Sequence, residues 1–290
     1  MSPAAWWKRL GHGGLLLLAA LYCVFPIYVM LVQSLKSAEE DVFGNPFVVT
    51  RPTFENFEEL FEPGGESHGY VGRVLARSYP FVSWIENTII VFAGSLAVTL
   101  VLSILAGYAL GGLRPPGYRW WRRGLFAAYV VPHTILFIPL YHVVIRLGLD
   151  DNLLALVLVY PTLALPFCTW MLSAYFQSLP RAVEECALVE GASRPAAFLR
   201  IVLPMSRPVI VAAGIFALGT IASDFMLASV FLLDPRHQTI PVGLATMDVS
   251  LDELTPVAGV NVMAIPVVLL SVAFARSYVR GLTAAMLEGS

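Results

Sequence analysis

Leu179-Pro-Arg-Ala-Val-Glu-Glu-Cys-Ala-Leu-Val-Glu-Gly-Ala-Ser-Arg-Pro-Ala-Ala-Phe-Leu-Arg-Ile-Val-Leu-Pro-Met-Ser-Arg-Pro208 is the longest well-charged stretch in the second half of a very apolar chain. It carries Arg181, Arg194, Arg200 and Arg207. Pro180 suits a helix start, where a missing N–H costs nothing. Gly191 suits a helix end, because it reaches the left-handed conformation without a Cβ penalty. Ser193 can cap a second helix with Pro195 in its first turn, and Pro204 is expected to stop that helix. The stretch therefore reads as two short helices joined by a sharp turn. On one side lies Asn152–Pro180, which has no Asp, Glu, Lys or Arg; on the other lies Pro208–Leu233, whose only charge is Asp224.

The same contrast recurs along the chain. Leu15–Val32, Asn87–Leu113, Gly124–Ile145 and Leu254–Ala275 are also free of Asp, Glu, Lys and Arg. About 20 apolar residues cross a bilayer core as a helix. Of the 290 residues 58% are hydrophobic and 13% charged, against roughly a quarter charged in soluble domains. A soluble helical protein would have to bury several of these helices on every side. The fold class expected is therefore an all-α polytopic membrane protein. It has six transmembrane helices, at about 14–34, 86–112, 123–146, 152–177, 208–233 and 255–276. Between them lie an inner tail at 1–13, an outer loop at 35–85, the charged segment at 179–207, an outer loop at 234–254 and an inner tail at 277–290.

Lysine and arginine mark the cytoplasmic side. With the N-terminus inside, Lys8, Arg9, Arg114, Arg119, Arg122, Arg123, Arg181, Arg194, Arg200, Arg207, Arg276 and Arg280 fall on inner segments. Lys36, Arg51, Arg73, Arg77, Arg146 and Arg236 fall on outer ones. Acids lean the other way. The net charge of −2 thus hides two faces of opposite sign. The basic residues are scattered over short segments, so nucleic acid is not an expected partner, whereas membrane lipid is. The loop Arg114-Pro-Pro-Gly-Tyr-Arg-Trp-Trp-Arg-Arg123 reads as an anchor at the membrane surface. The first apolar run is long for a signal-peptide core and reads as a retained span.

Cys23, Cys168 and Cys186 are far apart and imply no disulfide framework. The five histidines show no metal-ligand spacing, and no nucleophile–base–acid set is visible, so neither a metal site nor a catalytic residue is expected. Thr53 reads as a helix cap in the first outer loop, Pro63–Ser67 as a turn, and residues 62–78 as an insertion. Gly94, Ser95, Ala97, Ser103, Ala106 and Gly107 give the second span a small-residue face for close helix contact. Asp224 is the one acid inside a span. It must face a cavity, find a partner or reach outer water.

The charged stretch resembles the coupling motif of the membrane subunits of bacterial ABC importers, Glu-Ala-Ala…Gly…Ile-x-Leu-Pro. It reads here Glu185-Cys186-Ala187, Gly191 and Ile201-Val202-Leu203-Pro204, departing at Cys186, usually alanine, and Glu190, usually aspartate. Thr239-Ile240-Pro241-Val242-Gly243-Leu244 and the ending Gly281-Leu282-Thr283…Gly289 resemble the carbohydrate, MalG-like branch, with Ala285 in place of a middle glycine. Ala222-Ser223-Asp224 stands where that branch often has Trp-Asn-Asp or Trp-Asn-Glu.

The resemblance implies a type I ABC importer permease fold. It also implies alternating access, with a second related permease, a dimer of ATP-binding subunits and an external solute-binding protein as partners. The ATPase-coupling residues it implies are Glu184, Glu185, Cys186, Ala187, Glu190, Gly191, Ala192, Phe198, Leu203 and Pro204. Candidate pathway residues are Asn87, Tyr141, Ser223 and Asp224. A phosphate-cradling loop needs Gly-x-x-x-x-Gly-Lys-Ser/Thr, and Lys8 and Lys36, the only lysines, do not supply one. No cofactor is therefore expected on this chain, ATP and magnesium being held by a partner subunit. Alternatives are the same architecture importing a phosphodiester, amino sugar or peptide, and an ion-coupled secondary transporter. The latter predicts more ionisable residues within spans.

Overall fold

The computed structural model describes residues 3–61, 79–247 and 254–286, and among them every regular element is helical. The helices are α1 (Pro3–Ser34), α2 (Ala38–Phe43), α3 (Glu55–Phe61), α4 (Phe81–Tyr108), α5 (Tyr118–Val130), α6 (His133–Arg146), α7 (Leu153–Ser178), α8 (Arg181–Val189), α9 (Arg194–Ala197), α10 (Leu203–Met205), α11 (Arg207–Ala222), α12 (Met226–Phe231), α13 (Ile240–Thr246) and α14 (Leu254–Met286). Single π-helical turns, Ala109–Leu113 and Phe198–Val202, extend α4 and join α9 to α10. The readings made for Pro63–Ser67 and the 62–78 insertion lie outside the described residues.

Four helices are unbroken and long and apolar enough to cross a membrane: Gly13–Ser34, Phe81–Leu113, Leu153–Ser178 and Leu254–Ala275. Two further pairs are bent, Tyr118–Val130 with Ile135–Arg146 by 98° and Arg194–Met205 with Arg207–Ala222 by 73°. Counting each bent pair as one crossing gives six. Two expected spans are not single rods, while the 73° bend, between Met205 and Arg207, falls just ahead of the 208–233 segment. The 123–146 segment breaks at Val131–Pro132, because a residue before proline is pushed out of the helical region and Val131 is extended, at φ −65 and ψ 127. The 208–233 segment breaks after Ala222 and resumes at Met226.

Two compact units are present, one of residues 1–82 with 243–266, the other of 83–242 with 267–290. In the first, the Asn261 amide donates to the Met30 carbonyl at 3.0 Å and Thr255 donates to Glu59 at 2.6 Å. Thr53 accepts the Glu55 N–H at 3.2 Å, as the cap reading expects.

The second unit is built around α7, against which α4, α5 and α11 pack. One cluster of buried side chains holds Val91, Leu156, Tyr160, Ile221 and Phe231; another holds Cys168, Leu172, Phe176, Phe198 and Val209. The small-residue face of α4 is what lets α7 come close. A Cβ on Gly107 would stand 2.8 Å from Leu172 Cβ, and one on Gly111 would stand 2.2 Å from the Ser173 carbonyl oxygen. In a bilayer such contact, rather than a hydrophobic drive, holds helices together.

Candidate coupling segment and pathway residues

Local chemistry builds the charged segment. α8 starts after Pro180 and ends on Glu190. Its last carbonyls are used by Glu190 N–H to Cys186 (3.0 Å), Gly191 N–H to Leu188 (3.1 Å) and Ala192 N–H to Ala187 (2.9 Å). Gly191 has φ +92, a conformation L side chains adopt only at a cost. No heavy atom lies within 4 Å of where its Cβ would stand. The demand for glycine here comes from the backbone, not from packing. Ser193 Oγ accepts the Ala196 N–H at 3.4 Å and so starts α9.

The chain does not stop at Pro204, as expected from sequence, but two residues later at Ser206. A proline removes the donor that the carbonyl four residues earlier would use. The turn ahead of it widens, and Leu203 N–H reaches back to the Phe198 carbonyl. The break comes at Ser206, whose hydroxyl donates to the Val202 carbonyl at 2.8 Å.

Glu185, Cys186, Glu190 and Gly191 are exposed; Glu184, Ala192, Leu203 and Pro204 are half-buried; Ala187 and Phe198 are buried. Val189, 88% exposed, and Leu199, 58% exposed, share the open surface. Val189 was not singled out by sequence reasoning, although an apolar residue beside Glu190-Gly191 in an amphipathic helix was the available signal.

Glu184 is turned inward. Tyr108, the last residue of α4, donates its hydroxyl to Glu184 Oε1 at 2.6 Å. The Tyr108 ring lies 4.4 Å from that of Phe198 and 5.7 Å from that of Phe176. One side chain thus ties α8 and the π turn to the end of α4 and α7. Arg114 donates to the Gln177 carbonyl (2.7 Å) and Arg122 to the Gln177 side chain, where the C-terminal carbonyls of α7 favour cations. The loop read as a surface anchor is therefore divided: Trp120 and Trp121 stay exposed, while these two arginines serve α7.

Tyr108→Phe keeps the ring contacts and removes the hydroxyl, so the tie is expected to weaken by about 1 kcal/mol. In thermal unfolding, Tyr108→Phe combined with Glu184→Gln should be no worse than Tyr108→Phe alone; additive losses would show that the two groups do not act together.

The four pathway candidates are engaged in different ways. Asn87 is buried, and its amide donates to the Arg236 (2.8 Å) and Gln238 (2.9 Å) carbonyls. Tyr141 stacks between Phe137 and Phe231, with ring centroids 6.4 and 6.2 Å away. Ser223 and Asp224 lie in the break between α11 and α12. Asp224 is half-buried there, and its Oδ2 accepts the Tyr160 hydroxyl (3.0 Å) and the N–H groups of Leu227 (3.2 Å) and Ala228 (3.3 Å). Its first evident role is to cap a half-helix inside the apolar region.

Asp151, Asp234 and His237 bring potential ligand atoms within 4.8 Å of one another, a cluster hidden in the sequence because Asp151 and His237 are 86 residues apart. The geometry is that of a clasp. Asp151 Oδ1 accepts the N–H groups of Leu233 (2.8 Å) and Asp234 (3.0 Å), and Oδ2 accepts His237 Nδ1 at 2.9 Å.

Burial opposes ionisation of Asp151, but the Asp234 N–H, the His237 ring and the Leu233 N–H outweigh it and hold the carboxyl below its ordinary range. A depressed carboxyl stabilises the fold above its unfolded pKa, and that contribution is lost as pH falls through the folded value. Asp151 has φ +54, a left-handed backbone that asparagine also tolerates, so a gap in thermal midpoint between wild type and Asp151→Asn is expected at neutral pH and should close below about pH 4. A gap unchanged by acid would remove the charge from the explanation.

Residues 81–284 match the family model described as "binding-protein-dependent transport system inner membrane component". The chain is 29% identical over 285 residues to the inner membrane ABC transporter permease protein YcjP of Escherichia coli, covering 97% of each. It is 32% identical over 269 residues to the sulfoquinovosyl glycerol transport system permease protein SmoH of Agrobacterium fabrum, covering 92% of this chain and 89% of the relative. To the trehalose/maltose transport system permease protein MalG of Thermococcus litoralis it is 29% identical over 277 residues, covering 94% of each. In fold it is similar to a chain of a bacterial ABC transporter involved in the import of the acidic polysaccharide alginate, with a TM-score of 0.72 at 19% identity over 96% of this chain and 98% of that one. A chain of membrane-length helices, matched over most of its length by that family model, belongs to the binding-protein-dependent transport system inner membrane components and is a multi-pass inner-membrane permease.

Proposed function

We propose that the chain is one permease of a heteromeric importer for a sugar or sugar-like solute, and that residues 179–207 pass the closing movement of ATP-binding subunits to the spans. The observation that carries the reading is the exposed turn at Glu190-Gly191. It projects between two helices, is open to a partner backbone, and has Tyr108 fixing the segment from beneath. A lever needs a free surface on one side and a stiff attachment on the other. Val189, Glu185 and Cys186 supply the first; Glu184, Phe198 and Ala187 supply the second.

The sugar class rests on the relatives named for sulfoquinovosyl glycerol and for trehalose/maltose. The partners are a second permease, two ATP-binding subunits and an external solute-binding protein. Hydrolysis belongs to the ATP-binding subunits, since this chain has no phosphate-cradling loop. Asp224 is engaged as a cap and Glu86 stands in the first two turns of α4, which leaves an ion-coupled mechanism little to work with.

The test is reconstitution. Purified alone the chain should hydrolyse no ATP. With ATP-binding subunits, partner permease and binding protein from neighbouring reading frames, hydrolysis and uptake should rise on adding one member of a sugar panel. ATP hydrolysis by the isolated chain, or a panel to which only peptides or phosphodiesters respond, would overturn the reading in its energy source or its solute class respectively.

A further inference from the structure

The segment that follows the first span folds back along it. α2 opens at Ser37, whose hydroxyl accepts the Glu40 N–H, and closes at Gly44, whose N–H donates to the Glu40 carbonyl at 2.8 Å. From there the chain turns towards α1: Tyr28 donates its hydroxyl to the Phe47 carbonyl at 2.7 Å, and the rings of Phe25 and Phe47 lie 5.8 Å apart. Tyr28 and Phe25 stand four and seven residues before Val32, the end of the apolar run. At 1.5 Å per residue that places them about 6 and about 10 Å inside the apolar layer. Phe47 is therefore held at membrane depth, not in the water beyond it.

Two properties fit that depth. First, the segment presents a cluster of large apolar side chains outward: Val42 is 73% exposed, Phe43 86%, Phe47 49% and Val48 48%, continuous with exposed Phe25 and Tyr28 on α1. Second, several of its backbone polar groups are met from within, as a chain in hydrocarbon requires. Fully buried Lys36 donates its ammonium to the Asn45 carbonyl at 2.8 Å, and Asn45 Oδ1 accepts the Phe47 N–H at 2.9 Å. Residue 46 is a proline with no N–H to satisfy, and Glu40 accepts from the backbone of Thr50 and Arg51.

We infer that Val42–Val48 is a re-entrant hook whose apolar face is covered by the acyl chains of the outer leaflet. It would fix the height of the first span and tie the start of the first outer loop to the membrane surface.

The test uses the full chain, purified with its associated subunits and reconstituted into phosphatidylethanolamine–phosphatidylglycerol vesicles. A nitroxide is attached at Phe43→Cys in a Cys23→Ala, Cys168→Ala, Cys186→Ala background. Collision with oxygen, which partitions into lipid, is compared with collision with a water-soluble nickel chelate. Labels at Leu17→Cys and Asp234→Cys serve as the lipid and water references. A label at 43 is expected to match that at 17, with nickel accessibility at least about fivefold below that at 234, as a position within the apolar layer should show. High nickel accessibility would overturn the hook. Low accessibility to both reagents would also overturn it, because the cover would then be protein. Should the cysteine-free chain fail to assemble, benzoylphenylalanine at position 43 of the otherwise unchanged chain separates the same cases. A phospholipid adduct supports the hook. A subunit adduct, or no adduct at all under conditions where the same residue at position 17 captures lipid, refutes it.

Discussion

Gly191→Asp is expected to leave a chain that inserts in the membrane in near wild-type amount while uptake falls at least about tenfold, as removal of a central interface position does. The backbone there has φ +92. An L residue forced into left-handed geometry costs about 1–2 kcal/mol, and aspartate is among the residues that bear it best. Nothing lies within 4 Å of the new Cβ, so no packing penalty is added. Set against a typical stability of about 5–15 kcal/mol, the fold survives. What changes is the surface: a second carboxylate beside Glu190, with Glu185 also exposed, at the place where a partner's backbone must come closest. The measurement pairs immunoblotting of membranes with solute uptake and with ATP hydrolysis by the reconstituted assembly. Hydrolysis continuing without uptake is the signature of lost coupling. Full uptake would remove the turn from the docking surface; loss of the protein from the membrane would mean that glycine serves folding there. Gly191→Ala, with no charge and one methyl, should lose much less, which separates bulk and charge from backbone strain.

What could be read from the sequence was local. Gly191 and Ser193 announce a helix end and a helix start through the conformations and hydrogen bonds that only a few residue types supply, and the structure has both. The uncharged runs announce membrane-length segments because every run is long compared with a soluble helix. The remainder depended on partners far off in the chain. Tyr108 and Glu184 are 76 residues apart, and no periodicity links them. Asn87, a pathway candidate, donates its amide to the Arg236 and Gln238 carbonyls, 149 and 151 residues away. The interruption in the fifth apolar run was invisible for a different reason. Hydropathy sums side chains, and three residues of unwound backbone, made tolerable by one carboxylate, leave that sum almost unchanged. Pro204 misled in the opposite sense: its missing donor is absorbed by a π turn instead of ending the helix.

That interruption sets up the second large effect. Asp224→Ala is expected to destabilise the assembled chain by about 3 kcal/mol, the sum of a lost cap and stranded donors, whereas Asp224→Asn should cost less than about 1 kcal/mol. In hydrocarbon an unpaired N–H is worth several kcal/mol, so α12 can begin at Met226 only if something accepts from its first turn. Asp224 Oδ2 accepts from Leu227 and Ala228 and also from the Tyr160 hydroxyl. Tyr160 is 2% exposed, so its hydroxyl has little alternative to that carboxylate. Alanine abandons all three donors at once; asparagine keeps one oxygen for them and exchanges the charge and the second oxygen for a neutral NH2. The pair of substitutions therefore separates two roles that the wild-type residue combines. If Asp224 acts only as a cap, asparagine restores both thermal midpoint and uptake. If the negative charge also faces the solute, the asparagine chain keeps its midpoint and its membrane level but transports with an altered preference across a sugar panel. Equal midpoints for alanine and asparagine would show that the donors find other acceptors, and the cap would have to be given up. Tyr160→Phe supplies the cross-check: it deletes one of the three donors, so it should lessen the damage done by Asp224→Ala instead of adding to it.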